Sequence, residues 1–424
     1  MTFLNVVEIE SALIALNTAH PLVTELITLP FITAEGRRSH ALIIGTHNPS
    51  CARRGVLLIG GTHAREWGGP DILVNLATDV LEAYGGGTGL AYGGTSFSAD
   101  DIASIVSRLD LIVFPDLNPD GRHHSQTVFP MWRKNRNPAS SGGVASRIGV
   151  DPNRNYDFLW DFPVAFSGSA NPATLASNSP ASDLFHGTAP FSEAETKNVR
   201  WIVDRYSHIR WFVDIHSYGG DILFPWGDDE NQAADPGKNF GNPAWNGQRG
   251  IAGDAYREYN PAGYQATHQD AANVMRDAIA GVRGETYVTA QSFLLPGWAS
   301  YPTSGASDDW AFARHFVDAG RNQIFGFTPE FNRASTFFPT WAQMVDIIAD
   351  VDAGLLALCM HARPSRFAIL FCLIRDWTYK LWRRVWPPEL WGPYGPWTRI
   401  RRFVSRLGRQ IRGLFSRGGP RQGR

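Results

Sequence analysis

A histidine and a glutamate three residues apart, His63 and Glu66, stand in Gly60-Gly61-Thr62-His63-Ala64-Arg65-Glu66-Trp67, directly after the apolar run 56–59. Where a strand gives way to a turn or helix, an imidazole and a carboxylate at this spacing can point at one metal ion. Zinc accepts both kinds of donor, and a catalytic zinc site keeps one position open for water. Two protein ligands are too few, so a third must come from another segment. His216 is the candidate, because it ends the apolar run 209–215 in Asp214-Ile215-His216-Ser217-Tyr218.

Such a site needs a scaffold that gathers strand ends. Residues 41–44, 56–59 and 111–114 are short apolar runs bounded by turn residues, the pattern of buried strands, and 209–215 and 324–328 look alike. Ile72, Leu73, Leu76, Val80, Leu81 and Tyr84 fall at helical spacing and stop at Gly85-Gly86-Gly87. Trp341, Met344, Ile347, Ile348, Val351, Leu355 and Leu358 mark a closing helix. Alternating strands and helices predict one large α/β domain over 1–362, with a central mixed, mostly parallel twisted sheet flanked by helices. Active residues in such sheets sit at strand ends. The polar stretches 85–99, 165–190 and 227–262 read as surface loops.

The 424 residues are 43% hydrophobic and 19% charged, which excludes a disordered, collagenous or disulfide-stapled chain. Cys51, Cys359 and Cys372 have no metal or redox spacing, and their odd number argues against a disulfide framework. No run of 18 apolar residues predicts a transmembrane helix. The N-terminal segment lacks a basic start, a compact apolar run and a cleavage site, so no signal peptide is read. A cytoplasmic or peripherally membrane-associated location is the expectation.

Seven segments in order resemble the zinc metallocarboxypeptidases of the carboxypeptidase A/B type. They are GGTHAREW (60–67), NPDG (118–121), MWRKNR (131–136), GVDPNRNYD (149–157), DIHSY (214–218), YPTSGASDDW (301–310) and FTPEF (327–331). The resemblance covers about residues 20–358 and implies one Zn2+ per chain, held by His63, Glu66 and His216. It implies Asp151 as the carboxylate behind His63, Glu330 as general base and Arg133 as oxyanion stabiliser, with Lys134 and Arg136 as nearby alternatives. Asn153, Arg154 and Tyr301 match the clamp for a substrate's terminal carboxylate, and Arg65 matches a neighbouring subsite. Asp308 matches the base of the pocket for the last side chain, where an acid selects Lys or Arg; its neighbour Asp309 is the alternative occupant. The implied reaction is hydrolysis of the C-terminal bond of peptides or proteins. Rival readings are a zinc amidase acting on peptidoglycan stem peptides or acylated amino acids, and a pseudoenzyme that only binds C-termini.

The net charge of −1 conceals an asymmetry: residues 363–424 carry +13 and the remainder −14. Five tryptophans from Trp377 to Trp397 precede Ile400, Phe403, Val404, Leu407, Ile411, Leu414 and Phe415 at helical spacing, among six arginines. A basic, Trp-rich amphipathic segment suits an anionic membrane surface. Docking on the chain's own acidic body and binding of nucleic acid or another acidic partner compete with that reading.

Overall fold

The computed structural model describes residues 2–46, 53–334 and 336–365, with 370, 372, 374, 375 and 378. The chain divides into two compact units, Met1–Pro364 and Ser365–Arg424. The amphipathic segment expected at 400–415 lies outside the described residues, as does Cys51.

The first unit is built on an eight-stranded sheet. Its strands, in chain order, are β1 (Thr24–Thr28), β2 (His40–Ile44), β3 (Arg54–Gly60), β4 (Leu109–Phe114), β5 (Ile209–Ser217), β6 (Asp221–Phe224), β7 (Val288–Gln291) and β8 (Phe325–Phe331). They lie in the order β1-β2-β4-β3-β5-β8-β6-β7. The pairs β3/β4, β3/β5, β5/β8 and β6/β7 are parallel, and the other three are antiparallel, so the sheet is mixed.

Both faces are covered, which is why the central strands read as continuous apolar runs rather than alternating ones. Val56 and Leu58 of β3 face helices Gly68–Gly86, Ala99–Arg108, Ala262–Arg283 and Trp341–Ala362 on one side. Leu57 and Ile59 face Ala194–Arg205 and Ser307–Val317 on the other. Each of these four side chains is fully buried, contributing about 1.5–3 kcal/mol of transfer free energy. The helix expected from Ile72 to Tyr84 runs over Gly68–Gly86 and stops at Gly87, whose φ of 63° makes the left-handed C-cap.

Two expectations change. The stretch 227–262 is not simply a surface loop: Asp228, Arg249, Glu258 and Asn260 are fully buried within it. Arg249 donates to the carbonyls of Asn239, Asn242 and Trp245, and Tyr256 donates to Glu258 at 2.6 Å. Arg249 and Glu258 are thus buried with partners, as buried charges must be, while the Asp228 oxygens and the Asn260 side chain have no hydrogen-bond partner. Pro329, which lacks an N–H and so reads as a strand position that is unpaired or at an edge, lies in β8 between β5 and β6 and is unpaired on the β5 side. The β5/β8 pairing passes from Phe327 to Glu330 with Thr328 and Pro329 unpaired, so the missing donor falls in a gap of that ladder. Cys359 is a buried free thiol and Cys372 is disulfide-bonded, against the expectation of no pair; an odd count requires only that one thiol be left over. No helix among the described residues is long and apolar enough to cross a membrane.

Candidate metal centre and substrate cavity

β3, β5 and β8 are neighbouring parallel strands, so their carboxyl ends lie at one edge of the sheet, and the chemistry gathers there. After β3 the chain turns through Gly61, whose φ of 67° and 2.9 Å clearance from Asp116 Oδ1 admit no side chain. The next turn closes with Glu66 N–H donating to the His63 carbonyl at 3.1 Å. His63 and Glu66 thereby face the end of β5, where His216 is buried. The ligand atoms of the three residues lie within 4.8 Å of one another, and they form the only such group of three or more His, Cys, Asp or Glu among the described residues.

The donor chemistry fits a dication. His63 Nδ1 and His216 Nδ1 are 3.0 Å apart, and Glu66 reaches them with separate oxygens at 2.7 and 3.0 Å. Two ligands on one tetrahedral zinc would be about 3.3 Å apart for bonds of about 2.0 Å. Each outer ring nitrogen faces its own carboxylate. His63 Nε2 meets Asp151 Oδ1 at 3.2 Å, and His216 Nε2 lies 3.1 Å from Asp214 Oδ2. A carboxylate can only accept, so the hydrogens belong on Nε2 and the Nδ1 lone pairs face each other, an arrangement that calls for a cation between them.

Asp151 also binds Arg133, whose Nε and Nη2 reach its second oxygen at 3.0 and 2.8 Å. Burial opposes ionisation of Asp151, yet Arg133 and His63 together keep it ionised far below the ordinary range. Asp214 was not singled out from the sequence. It is fully buried and accepts from Thr62 at 2.8 Å and Ser307 at 2.7 Å. The signal was present: residues two apart on a strand share a face, and Asp214 precedes His216 by two. Asp214→Asn should weaken metal affinity by about 10–100-fold, read by titration with a competing chelator. Unchanged affinity would show that the contact is structural only.

A cavity of about 500 Å³ opens on this centre, lined by His63, Glu66, His216, Arg133, Glu330, Asn153, Arg154, Tyr301, Asp308 and Arg65. Every residue proposed for the site from the sequence is therefore in it or, for Asp151, directly behind it. Lys134 and Arg136 are not: Lys134 donates to the Pro180 carbonyl at 2.6 Å, and Arg136 lies over Trp132. A larger cavity of about 760 Å³ lies apart, among Phe3, Trp67, His123 and Trp341. It contains none of His63, Glu66 and His216, so volume alone is a poor guide here.

Arg154 donates to the carbonyls of Asn153 and Thr174 at 2.7 and 2.6 Å, and its buried Nε has no partner. Burial pulls its guanidinium down from its ordinary value, despite opposing help from Asp151. The Asn153 side-chain oxygen is fixed by Ser307 N–H at 2.8 Å, leaving its amide donors free to face the cavity. Asp308 is 3% exposed, and its Oδ2 has no hydrogen-bond partner. Asp309 turns away and accepts from Gly227 N–H at 3.0 Å, so Asp308 rather than its neighbour faces the cavity. Arg65 pairs with Asp183 at 3.2 Å and covers the Phe337 ring at 4.6 Å.

A family model described as "Zinc carboxypeptidase" matches residues 9–351. The chain belongs to the zinc carboxypeptidase family. Carboxypeptidase B of Astacus astacus is 29% identical over 282 residues, covering 66% of this chain and 72% of that one. Carboxypeptidase A4 of Mus musculus is 26% identical over 318 residues, 74% of this chain and 60% of its own. Among solved structures, bovine thrombin-activatable fibrinolysis inhibitor bound to tick carboxypeptidase inhibitor has a TM-score of 0.60. It is 20% identical, with 85% of this chain and 97% of that one covered; a likeness at that identity speaks for the fold. The relatives include both A and B types, so family membership fixes the class of hydrolase and leaves the side-chain preference to the cavity itself.

Proposed function

We propose that this chain is a zinc-dependent metallocarboxypeptidase that removes single C-terminal residues from peptides or proteins, preferring Lys or Arg. The observation that carries the reading is Arg154. It is a buried guanidinium in the metal-site cavity, held by carbonyls rather than by a carboxylate. An endopeptidase has no use for it, whereas a free C-terminal carboxylate completes its charge.

Bound by His63, Glu66 and His216, a zinc ion would supply Lewis acidity inside a water-poor site. The chain's own residues account for the rest. Arg154, Asn153 and Tyr301 hold the terminal carboxylate and so fix which peptide bond lies beside Glu330. Glu330 takes a proton from the attacking water and returns it to the leaving amine. Arg133, oriented by Asp151, turns positive charge toward the oxygen that becomes negative. Asp308 offers a buried carboxylate whose Oδ2 has no hydrogen-bond partner to the last side chain, and a cation there offsets the cost of burying that oxygen unsatisfied.

Blocked dipeptides ending in Arg, Phe or Ala, assayed with and without chelator, test the reading. Chelator-sensitive release of Arg above Phe supports it; no release from any of them overturns it. Asp308→Leu should lower the Arg-to-Phe ratio of kcat/KM by about 10–100-fold, the value of one charge-assisted hydrogen bond. An unaltered ratio would remove Asp308 from the pocket assignment while leaving the reaction class in place.

A further inference from the structure

Two acids of the cavity, Asp183 and Asp221, have no part in the reaction just described, and of these two Asp183 is paired with Arg65. Asp221 opens β6, and the strand register places it opposite Glu330, which is itself opposite His216 on the other side. His216, Glu330 and Asp221 therefore form a row across three adjacent strands: metal ligand, base, and a second carboxylate. The two-residue period of β6 puts Asp221 and Leu223 on the cavity face, while Ile222 and Phe224 point into the core. The bend before it is two glycines, and a side chain at Gly219 would lie 2.4 Å from Asp221 Oδ2 and 3.4 Å from the Glu330 Cβ.

Asp221 is 9% exposed, and among the described residues neither of its oxygens has a hydrogen bond or ion pair. The other acids of the cavity are engaged. Glu66 meets the two histidines, Asp183 meets Arg65, and Asp308 is assigned to the last side chain. The cation nearest in influence, Arg333, is held by the Thr286 carbonyl and lies 3.5 Å from Glu285.

Position says which part of a peptide would meet this acid. Along β8, Gly326 packs against the Asp308 backbone, while Thr328 and Glu330 line the cavity at the next two alternate positions. Leu223 pairs with Thr328 and Asp221 with Glu330. Two residues of strand advance about 6.6 Å. Asp308, beside Gly326, thus serves the end of the last side chain, and Asp221 stands two such steps further on, about 13 Å along the strand, level with the base, where the residue before the scissile bond begins.

We infer that Asp221 forms an acidic subsite for the side chain of the penultimate residue, selecting peptides that carry Lys or Arg at that position. Together with Asp308 it fits the cavity to C-termini ending in two consecutive basic residues. The inference rests on the carboxypeptidase reading above for its orientation of the peptide.

The test compares acyl-Xaa-Arg substrates with Xaa as Lys, Ala or Glu, on the full-length zinc-loaded protein. The kcat/KM ratio of Lys to Ala should be about tenfold, the scale of one charge-assisted contact, with Glu poorer than Ala. Asp221→Asn should bring the Lys-to-Ala ratio near one, and Asp221→Lys should turn the preference toward Glu. A ratio near one in the unsubstituted protein overturns the inference. So does a preference that survives Asp221→Asn, or an equal loss on every substrate, which would make Asp221 a positioning residue for Glu330. Calorimetric binding of the same peptides to the Glu330→Gln protein, with and without Asp221→Asn, separates the two readings. A Lys-over-Ala difference in Kd that needs Asp221 supports the subsite even if no peptide is cleaved, and its absence sinks the subsite even if peptides are cleaved.

Discussion

Glu330→Gln should lower kcat by about 10²–10⁴-fold, the usual contribution of a positioned general base, while leaving metal content unchanged. The amide fills the same space but cannot carry the proton from water to the leaving amine. Burial above all, with Glu66 and Asp221, raises the Glu330 carboxyl to about 8 against the lowering pull of His216 and Arg133. A base works only when deprotonated, so a raised value moves the acidic limb of kcat/KM upward, and the rate climbs as pH rises through it. A bound dication adds a lowering effect. The limb should accordingly fall between the ordinary glutamate value of about 4.3 and about 8, and disappear from the residual activity of the Gln variant. A limb that persists there would assign it to another group, and unimpaired kcat would remove Glu330 from the reaction.

Removal of the metal should have an effect at least as large, on two readouts at once. Turnover should fall to background with chelator and return with zinc. Stability should fall as well, because an ion that binds only the folded state contributes RT ln(1 + [L]/Kd), about 4 kcal/mol at a thousandfold excess over Kd. The metal-free centre also keeps two ring nitrogens 3.0 Å apart with no ion to satisfy both. A melting temperature and a rate that both ignore chelation would sink the zinc assignment. A lower melting temperature with no activity in either state would instead support a binding protein.

The strand runs at 56–59 and 111–114 were legible in the sequence because burial on both faces leaves no polar interruption in them, 209–215 because only Arg210 and Asp214 interrupt its apolar residues, and the helix ending at Gly87 because its apolar residues keep helical spacing. The motifs carried the identities of His63, Glu66 and His216, since those residue types at strand ends have few other uses in combination. What the sequence concealed was partnership. Asp214 reads as an ordinary polar residue in an apolar strand until its contacts with His216, Thr62 and Ser307 are seen. Asp221 looks like a turn residue after two glycines, and only the β6/β8 register places it beside Glu330. The polar stretch 227–262 misled for the same reason: Arg249 and its carbonyl partners are scattered along the chain, and composition cannot tell a solvated charge from a compensated buried one.

Asp151 meets His63 with one oxygen and Arg133 with the other, and its Oδ1 also takes the Asn153 N–H at 3.0 Å. One carboxylate thus touches His63, Arg133 and the backbone of Asn153, the residues proposed as metal ligand, oxyanion cation and clamp. A ligand that draws Arg133 away from Asp151 leaves more negative charge facing His63, and a tighter grip by His63 on its ion leaves less for Arg133. Thermodynamic reciprocity then requires that peptide and metal alter each other's affinity by the same factor. The zinc affinity measured on the empty protein should therefore differ from the one that applies while a C-terminus occupies the cavity, a difference that chelator competition with and without a bound peptide would read.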